Sequence, residues 1–145
     1  MRKESAAGRP VVFEHRIRVA AGEIDRMGHV NNVVYVRYVQ DAAVAHWRAA
    51  TSEEERRTTV WVVRRHEIYY LKPAIENDEI VARTWVGEPS GATMDRFVEI
   101  RRVSDDELLA SARTVWVAVD PKSHRPVRVT RQIWSRFQEL EADES

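Results

Sequence analysis

The chain has 145 residues, enough for one domain with a proper hydrophobic core, and its 23 basic and 23 acidic side chains cancel. That balance offers no basic field for nucleic acid, and the absence of cysteine removes disulfides, thiolate nucleophiles and cysteine metal sites together. Residues 1–10 contain no apolar segment of signal-peptide length. No run approaches the roughly 20 apolar residues of a membrane span, so a soluble, cytoplasmic protein without nucleic-acid or membrane partners is expected.

The first ten residues, small, charged and carrying Gly and Pro, read as a frayed tail. From Val11 to Ala20, Phe13, His15, Ile17 and Val19 alternate with Glu14, Arg16 and Arg18, the period of a strand with one buried face. Asp25, Gly28, His29, Asn31 and Asn32 then crowd into eight positions. A plain connector needs a Gly and one capping Asn, although all three residue types are ordinary in turns.

A helix is expected over Asn32 to Ala50, about 27 Å long at 1.5 Å per residue. Projected at about 100° per residue, Arg37, Gln40, Asp41 and Arg48 form one narrow polar stripe. Val33, Val34, Val36, Val39, Ala42, Ala43, Ala45 and Trp47 cover most of the rest, so the helix reads as buried. His46 lies opposite the stripe and is expected as a hydrogen-bonded core histidine. Thr51 to Arg57 is charged and reads as a loop.

Four strands follow: Thr59–Leu71, stopped by Lys72-Pro73; Ile80–Val86; Thr93–Val103; and Leu108–Val119. Short turns at Glu88-Pro89-Ser90-Gly91 and Ser104-Asp105-Asp106 make the last three an antiparallel meander. Thr130 to Leu140 has helical spacing at Ile133, Trp134, Phe137 and Leu140, with Thr130 as N-cap, and 141–145 reads as a mobile tail. Strand, long helix and four strands give an α+β domain over 11–140, one sheet around one helix.

The block Asp25-x-x-Gly28-His29-Val30-Asn31-Asn32-x-x-Tyr35 resembles the signature of hotdog-fold acyl-CoA thioesterases of the 4-hydroxybenzoyl-CoA thioesterase type. His66-Glu67-Ile68-Tyr69-Tyr70-Leu71-Lys72-Pro73-Ala74, Asn77-Asp78-Glu79-Ile80 and Leu108-Leu109-Ala110-Ser111-Ala112-Arg113 follow in the expected order. The resemblance spans roughly residues 12 to 137 and is most specific in the first block. It implies a hotdog fold, an antiparallel sheet wrapped around a long central helix with a C-terminal helix. It also implies an acyl-CoA or acyl-carrier-protein substrate, no cofactor, and a homodimer or homotetramer with sites shared between subunits.

Thioester hydrolysis needs water or a carboxylate at the carbonyl and donors for the developing oxyanion. The resemblance gives the first task to Asp25, as general base or nucleophile. It gives the second to the backbone amide of Asn32, where unpaired N–H groups of a helix start point outward. His29 is a rival base or a brace of the loop, and Asn31 helps cap the helix. Gly28 serves a turn or a close ligand approach. Tyr35, on the apolar side, suits packing but stays in the candidate binding set.

For coenzyme A phosphates, Arg64, Arg65, Arg101, Arg102 and Lys122 are available. Neighbours on a strand face opposite ways, so one of each pair can serve, and Arg64 and Arg101 represent them. Glu23 reads as a solvated acid without a role. Gly87-Glu88-Pro89-Ser90-Gly91 places its serine one position late for a nucleophile elbow, and the five histidines show no metal-ligand spacing. Two rivals remain: a hotdog hydratase or dehydratase, which Asp25 and His29 miss by one position, and a non-catalytic module that binds acyl thioesters.

Overall fold

A computed structural model describes residues 11–139. The expected tails at 1–10 and 141–145, and Leu140, lie outside the described residues. Five strands form one antiparallel sheet in the order β1-β3-β4-β5-β2. They are β1 (Phe13–Arg18), β2 (Val60–Tyr70), β3 (Glu79–Val86), β4 (Thr93–Arg102) and β5 (Leu108–Val119). β3, β4 and β5 are the expected meander; β1 adds to β3, and β2 pairs with β5 to make the far edge. A register shift between Val63 and Arg65 marks a bulge in β2.

Strict alternation sets the two faces of the sheet. On β3, Ile80, Ala82, Thr84 and Val86 are buried, and on β4, Met94, Arg96, Val98 and Ile100. Across this face lies α1 (Asn32–Ala50), with Tyr35, Tyr38, Val39, Ala42, Ala43 and His46 buried. Ala42 meets Ala82, Ala110 and Ala112 in the same core cluster; such small side chains let a helix sit close on a sheet.

The helix begins and ends where capping chemistry puts it. Asn31 Oδ1 accepts from the Val33 N–H at 3.0 Å, satisfying one of the donors that a helix start leaves unpaired. Thr51 closes the other end, its N–H donating to the Trp47 carbonyl.

The helix departs from the sequence reading in one respect. Val33 and Val44 are 73% and 47% exposed, so the apolar surface of α1 is wider than this chain covers.

The second departure is α2 (Glu53–Thr58), in the segment read as a loop. Ser52 and Glu55 form a reciprocal capping box, and Glu55 is held from afar by Gln132 and Arg136. Those two residues belong to α3 (Arg131–Phe137), capped as expected by Thr130, whose Oγ1 accepts from the Ile133 N–H. α3 packs Ile133 and Phe137 with Val86, Met94 and Ala118, against Trp47 and Trp61. The Trp134 indole donates to the Gly87 carbonyl at 3.1 Å.

Tyr35 fastens α1 to the chain beyond β2. Its ring is 2% exposed; its hydroxyl donates to the Lys72 carbonyl at 3.3 Å and accepts from the Ala74 N–H at 3.1 Å. Tyr35→Phe strands a buried amide, so denaturant unfolding should show a loss of about 1–3 kcal/mol with the fold retained. A loss within measurement error would show that the hydroxyl's bonds hold nothing.

Candidate active site at the start of the central helix

The segment between β1 and α1 is a closed loop. After a 3-10 turn at Ala21–Glu23, an isolated bridge pairs Ile24 with Val30. Inside it, the Asp25 N–H donates to the His29 carbonyl at 2.7 Å and the Gly28 N–H to the Asp25 carbonyl at 3.1 Å. Gly28 has φ +83°, a left-handed conformation that side chains rarely adopt. No atom of the described residues lies within 4 Å of where its Cβ would be, so the turn, rather than crowding, accounts for the glycine.

Asp25 is exposed, and its two oxygens differ. Oδ1 accepts the N–H groups of Met27, at 2.9 Å, and His29, at 3.2 Å. Oδ2 has no hydrogen-bond partner among the described residues, which leaves one lone-pair face of an anchored carboxylate open. The His29 ring is half-buried and likewise makes no hydrogen bond among them.

Asn31 is the cap and Asn32 the first helical residue. The Asn32 N–H has no partner among the described residues, as the geometry of a helix start dictates. The Asn32 carbonyl instead accepts a long bond, 3.5 Å, from the Tyr70 hydroxyl at the end of β2. Loop and helix start are also tied to the segment after β2, because the Val30 N–H donates to the Ala74 carbonyl at 2.9 Å.

Glu23 is not the solvated acid expected. Its side chain is 15% exposed. It accepts from the Tyr38 hydroxyl at 2.6 Å and from the Ala20 N–H at 2.9 Å, and pairs with Arg37. Its carbonyl also receives the Asn31 N–H at 3.0 Å. Burial pushes the carboxyl pKa up, but the Ala20, Tyr38 and Arg37 donors outweigh it and hold it below the ordinary 4.5. Sequence reasoning missed this brace because Tyr38 and Arg37 become neighbours of Glu23 only once the loop folds back.

Asp25, Gly28, His29, Asn31, Asn32 and Tyr35 are thus gathered around one helix start. The two arginines are not. Arg64 is exposed in the middle of β2, about 20 Å along the strand from Tyr70 at 3.3 Å per residue. Arg101, at the end of β4, pairs with Glu99 and Asp106. No group of three or more metal-ligating side chains occurs among the described residues.

A family model described as the thioesterase-like superfamily matches residues 19–137. The chain belongs to that superfamily. Among curated members it is 25% identical over 142 residues to a chloroplastic acyl-[acyl-carrier-protein] hydrolase of Cuphea viscosissima, over 88% of this chain and 34% of that one. It is 27% identical over 129 residues to an acyl-acyl carrier protein thioesterase of Arabidopsis thaliana, over 86% of this chain and 66% of that one. The chain spans about a third of the length of the Cuphea protein.

Two solved structures show the same fold. A Thermus thermophilus thioesterase, complexed with coenzyme A and zinc, matches with a TM-score of 0.76 at 25% identity, over 88% of this chain and 92% of that one. A Synechocystis 1,4-dihydroxy-2-naphthoyl-CoA thioesterase matches with a TM-score of 0.77 at 17% identity, over 89% and 97%. The fold of this superfamily member is the hotdog fold expected from the sequence.

The brace at Glu23 gives the loop an acid limit. A carboxyl whose folded pKa is depressed contributes stability above its unfolded value, near 4.5, and loses it as pH falls through the lower folded value. Glu23→Gln should therefore lower stability at neutral pH by about 1–3 kcal/mol and flatten the acid limb of the unfolding profile. An acid limb identical to that of the parent would exclude Glu23 as the titrating brace.

Proposed function

We propose that the protein hydrolyses an acyl thioester, carried on coenzyme A or an acyl carrier protein, to a free acid and a thiol. The observation that supports this best is that Asp25 and the Asn32 N–H both belong to the loop and helix start closed by the Ile24–Val30 bridge. One is a carboxylate anchored through a single oxygen with the other open; the other is an unpaired amide at the mouth of a 19-residue helix. The helix start polarises the thioester carbonyl and takes up oxyanion charge. Asp25 activates water or attacks the carbonyl itself.

Around them His29 and Gly28 shape the loop, Asn31 fixes the helix start, and Tyr35 holds that start on the sheet. Arg64 and Arg101 are the candidates for carrier phosphates. Asp25 Oδ1 also closes an ordinary turn, and this favours a second reading in which the protein binds acyl thioesters without cleaving them.

Two substitutions separate these readings. Asp25→Asn keeps an oxygen acceptor for Met27 and His29 but no base. Thiol release from a thioester panel should fall roughly 10²–10⁴-fold at nearly unchanged melting temperature. Full turnover in a stable Asp25→Asn protein would remove Asp25 from the chemistry and turn attention to His29. Asn32→Ala should keep most activity, because the backbone amide survives; a loss as deep as that of Asp25→Asn would show the side chain at work.

The functional unit is a homodimer in this reading, built on β2. That strand is an open edge of the sheet, with Val60, Val62, Tyr69 and Tyr70 exposed along it, and Val33 and Val44 exposed on α1. An unpaired apolar edge is a template for another strand. Two β2 edges paired antiparallel about the bulge at Val63–Arg65 set the Val60 end of each against the Tyr70 end of the other. Sedimentation at micromolar concentration should give a dimer or a multiple of it, and a fully active monomer would overturn this.

A further inference from the structure

A cavity of about 640 Å³ lies between the later turns of α1 and the first half of β2, a size suited to a small organic ligand. Its wall is mostly apolar, including Val44, Trp47, Trp61, Val63 and Trp116. Gln40, Arg56 and Thr59 also line it, but Arg56 is only part-buried and donates to the Thr51 carbonyl, whereas Arg96 lines the cavity yet is only 3% exposed.

The described residues around Arg96 contain no counter-charge. Nη1 donates to Thr84 Oγ1 at 2.8 Å and to His46 Nδ1 at 3.0 Å, and the guanidinium lies 5.3 Å from the centre of the Phe137 ring. An arginine can only donate, so His46 Nδ1 accepts and the ring proton sits on Nε2, itself without an acceptor. Burial, and then the neighbouring guanidinium, lower the His46 pKa to about 2, so the ring is neutral. Burial lowers the Arg96 pKa only to about 9, so the cation persists at neutral pH.

Among the described residues no carboxylate pairs with Arg96, and Nε and Nη2 have no hydrogen-bond partner. The indole N–H groups of Trp61 and Trp116, in the same wall, are buried without acceptors as well. Buried charges are ordinarily paired, because desolvating a lone one is costly. Here every unpaired polar group found on the buried wall is a donor, which is the complement of an oxygen anion.

The proposed dimer sets this cavity beside the chemistry. Val60 and Val62 line it. Across the β2 pair they face the Tyr70 end of the other copy, where the Tyr70 hydroxyl touches the Asn32 carbonyl.

We propose that the cavity receives the acyl group of the thioester, and that Arg96 binds a carboxylate at the far end of that group. The preferred substrate class is then the ω-carboxyacyl thioester, the half-thioester of a dicarboxylic acid. This inference rests on the thioesterase reading but fails separately from it.

The test compares hydrolysis of dodecanedioyl-CoA and dodecanoyl-CoA, chains of equal length that differ in the distal carboxylate. The dioyl substrate should be favoured roughly tenfold or more in kcat/KM, the scale of a hydrogen-bonded charge, and Arg96→Met should bring the ratio near one. Equal turnover by the wild-type protein, or preference for the plain chain, would overturn the inference and leave hydrolysis intact. That comparison needs no variant, so it decides even if Arg96→Met does not fold. If neither substrate is cleaved, quenching of tryptophan fluorescence by dodecanoate and dodecanol decides the cavity alone, and the thioester panel decides hydrolysis. Tighter binding of the acid, again roughly tenfold, would keep Arg96 as an anion site; equal binding, or none, would end it.

Discussion

Glu23 joins three pieces of chain that have no other reason to keep a fixed distance. Its side chain grips the 3-10 turn through Ala20 and the second turn of α1 through Arg37 and Tyr38, while its carbonyl holds the cap residue Asn31. The loop bearing Asp25 leaves this junction and returns to it, so Glu23, with the Ile24–Val30 bridge and the loop's own bonds, sets the carboxylate's position relative to the helix start. A carboxylate and an amide act together on a carbonyl only within a narrow geometry. In the proposed hydrolysis the brace, though not itself placed in the chemistry, helps set that geometry.

A second set of ties fixes the helix start from the opposite side. Pro73 ends the ladder of β2, and the chain turns back across α1 instead of continuing the sheet. The carbonyls of Lys72 and Ala74 and the Ala74 amide are then available to Tyr35 and Val30, and Tyr70 reaches the Asn32 carbonyl. The first turn of the helix is therefore held between the loop before it and the segment after β2. The Asn32 amide has no partner among the described residues, as the start of a helix dictates.

What the sequence disclosed was whatever depends on near neighbours. The alternation of Ile80 to Val86 and the caps at Asn31 and Thr130 act within a few residues, and they placed β3, α1 and α3. The crowded polar residues from Asp25 to Asn32 exposed the candidate site for the same reason. The failures share the opposite cause. α2 carries a readable Ser52–Glu55 box, but five charged residues and a threonine, without an apolar face, are held by partners in α3. Glu23 looked solvated because its partners lie 14 and 15 residues ahead. Val33 reads with the buried face of α1 and is nevertheless exposed, because periodicity shows which face is apolar and not what covers it. Arg96 occupies an inward register position that its charge argues against, and only the packing of His46, Thr84 and Phe137 around it shows which consideration wins.

The link from Glu55 to Gln132 and Arg136 spans 77 and 81 residues, which bears on the order in which the molecule can assemble. Phe137 forms part of the wall around Arg96 and stacks edge-on with His46, yet it belongs to the last helix described. Phe137 follows every strand and α1 in the chain, and until it packs the guanidinium lacks part of the wall that screens it from water. Closing so long a loop is slow compared with forming a hairpin. Stripping water from a cation with no carboxylate partner among the described residues is therefore completed only when α3 docks on the rest of the core.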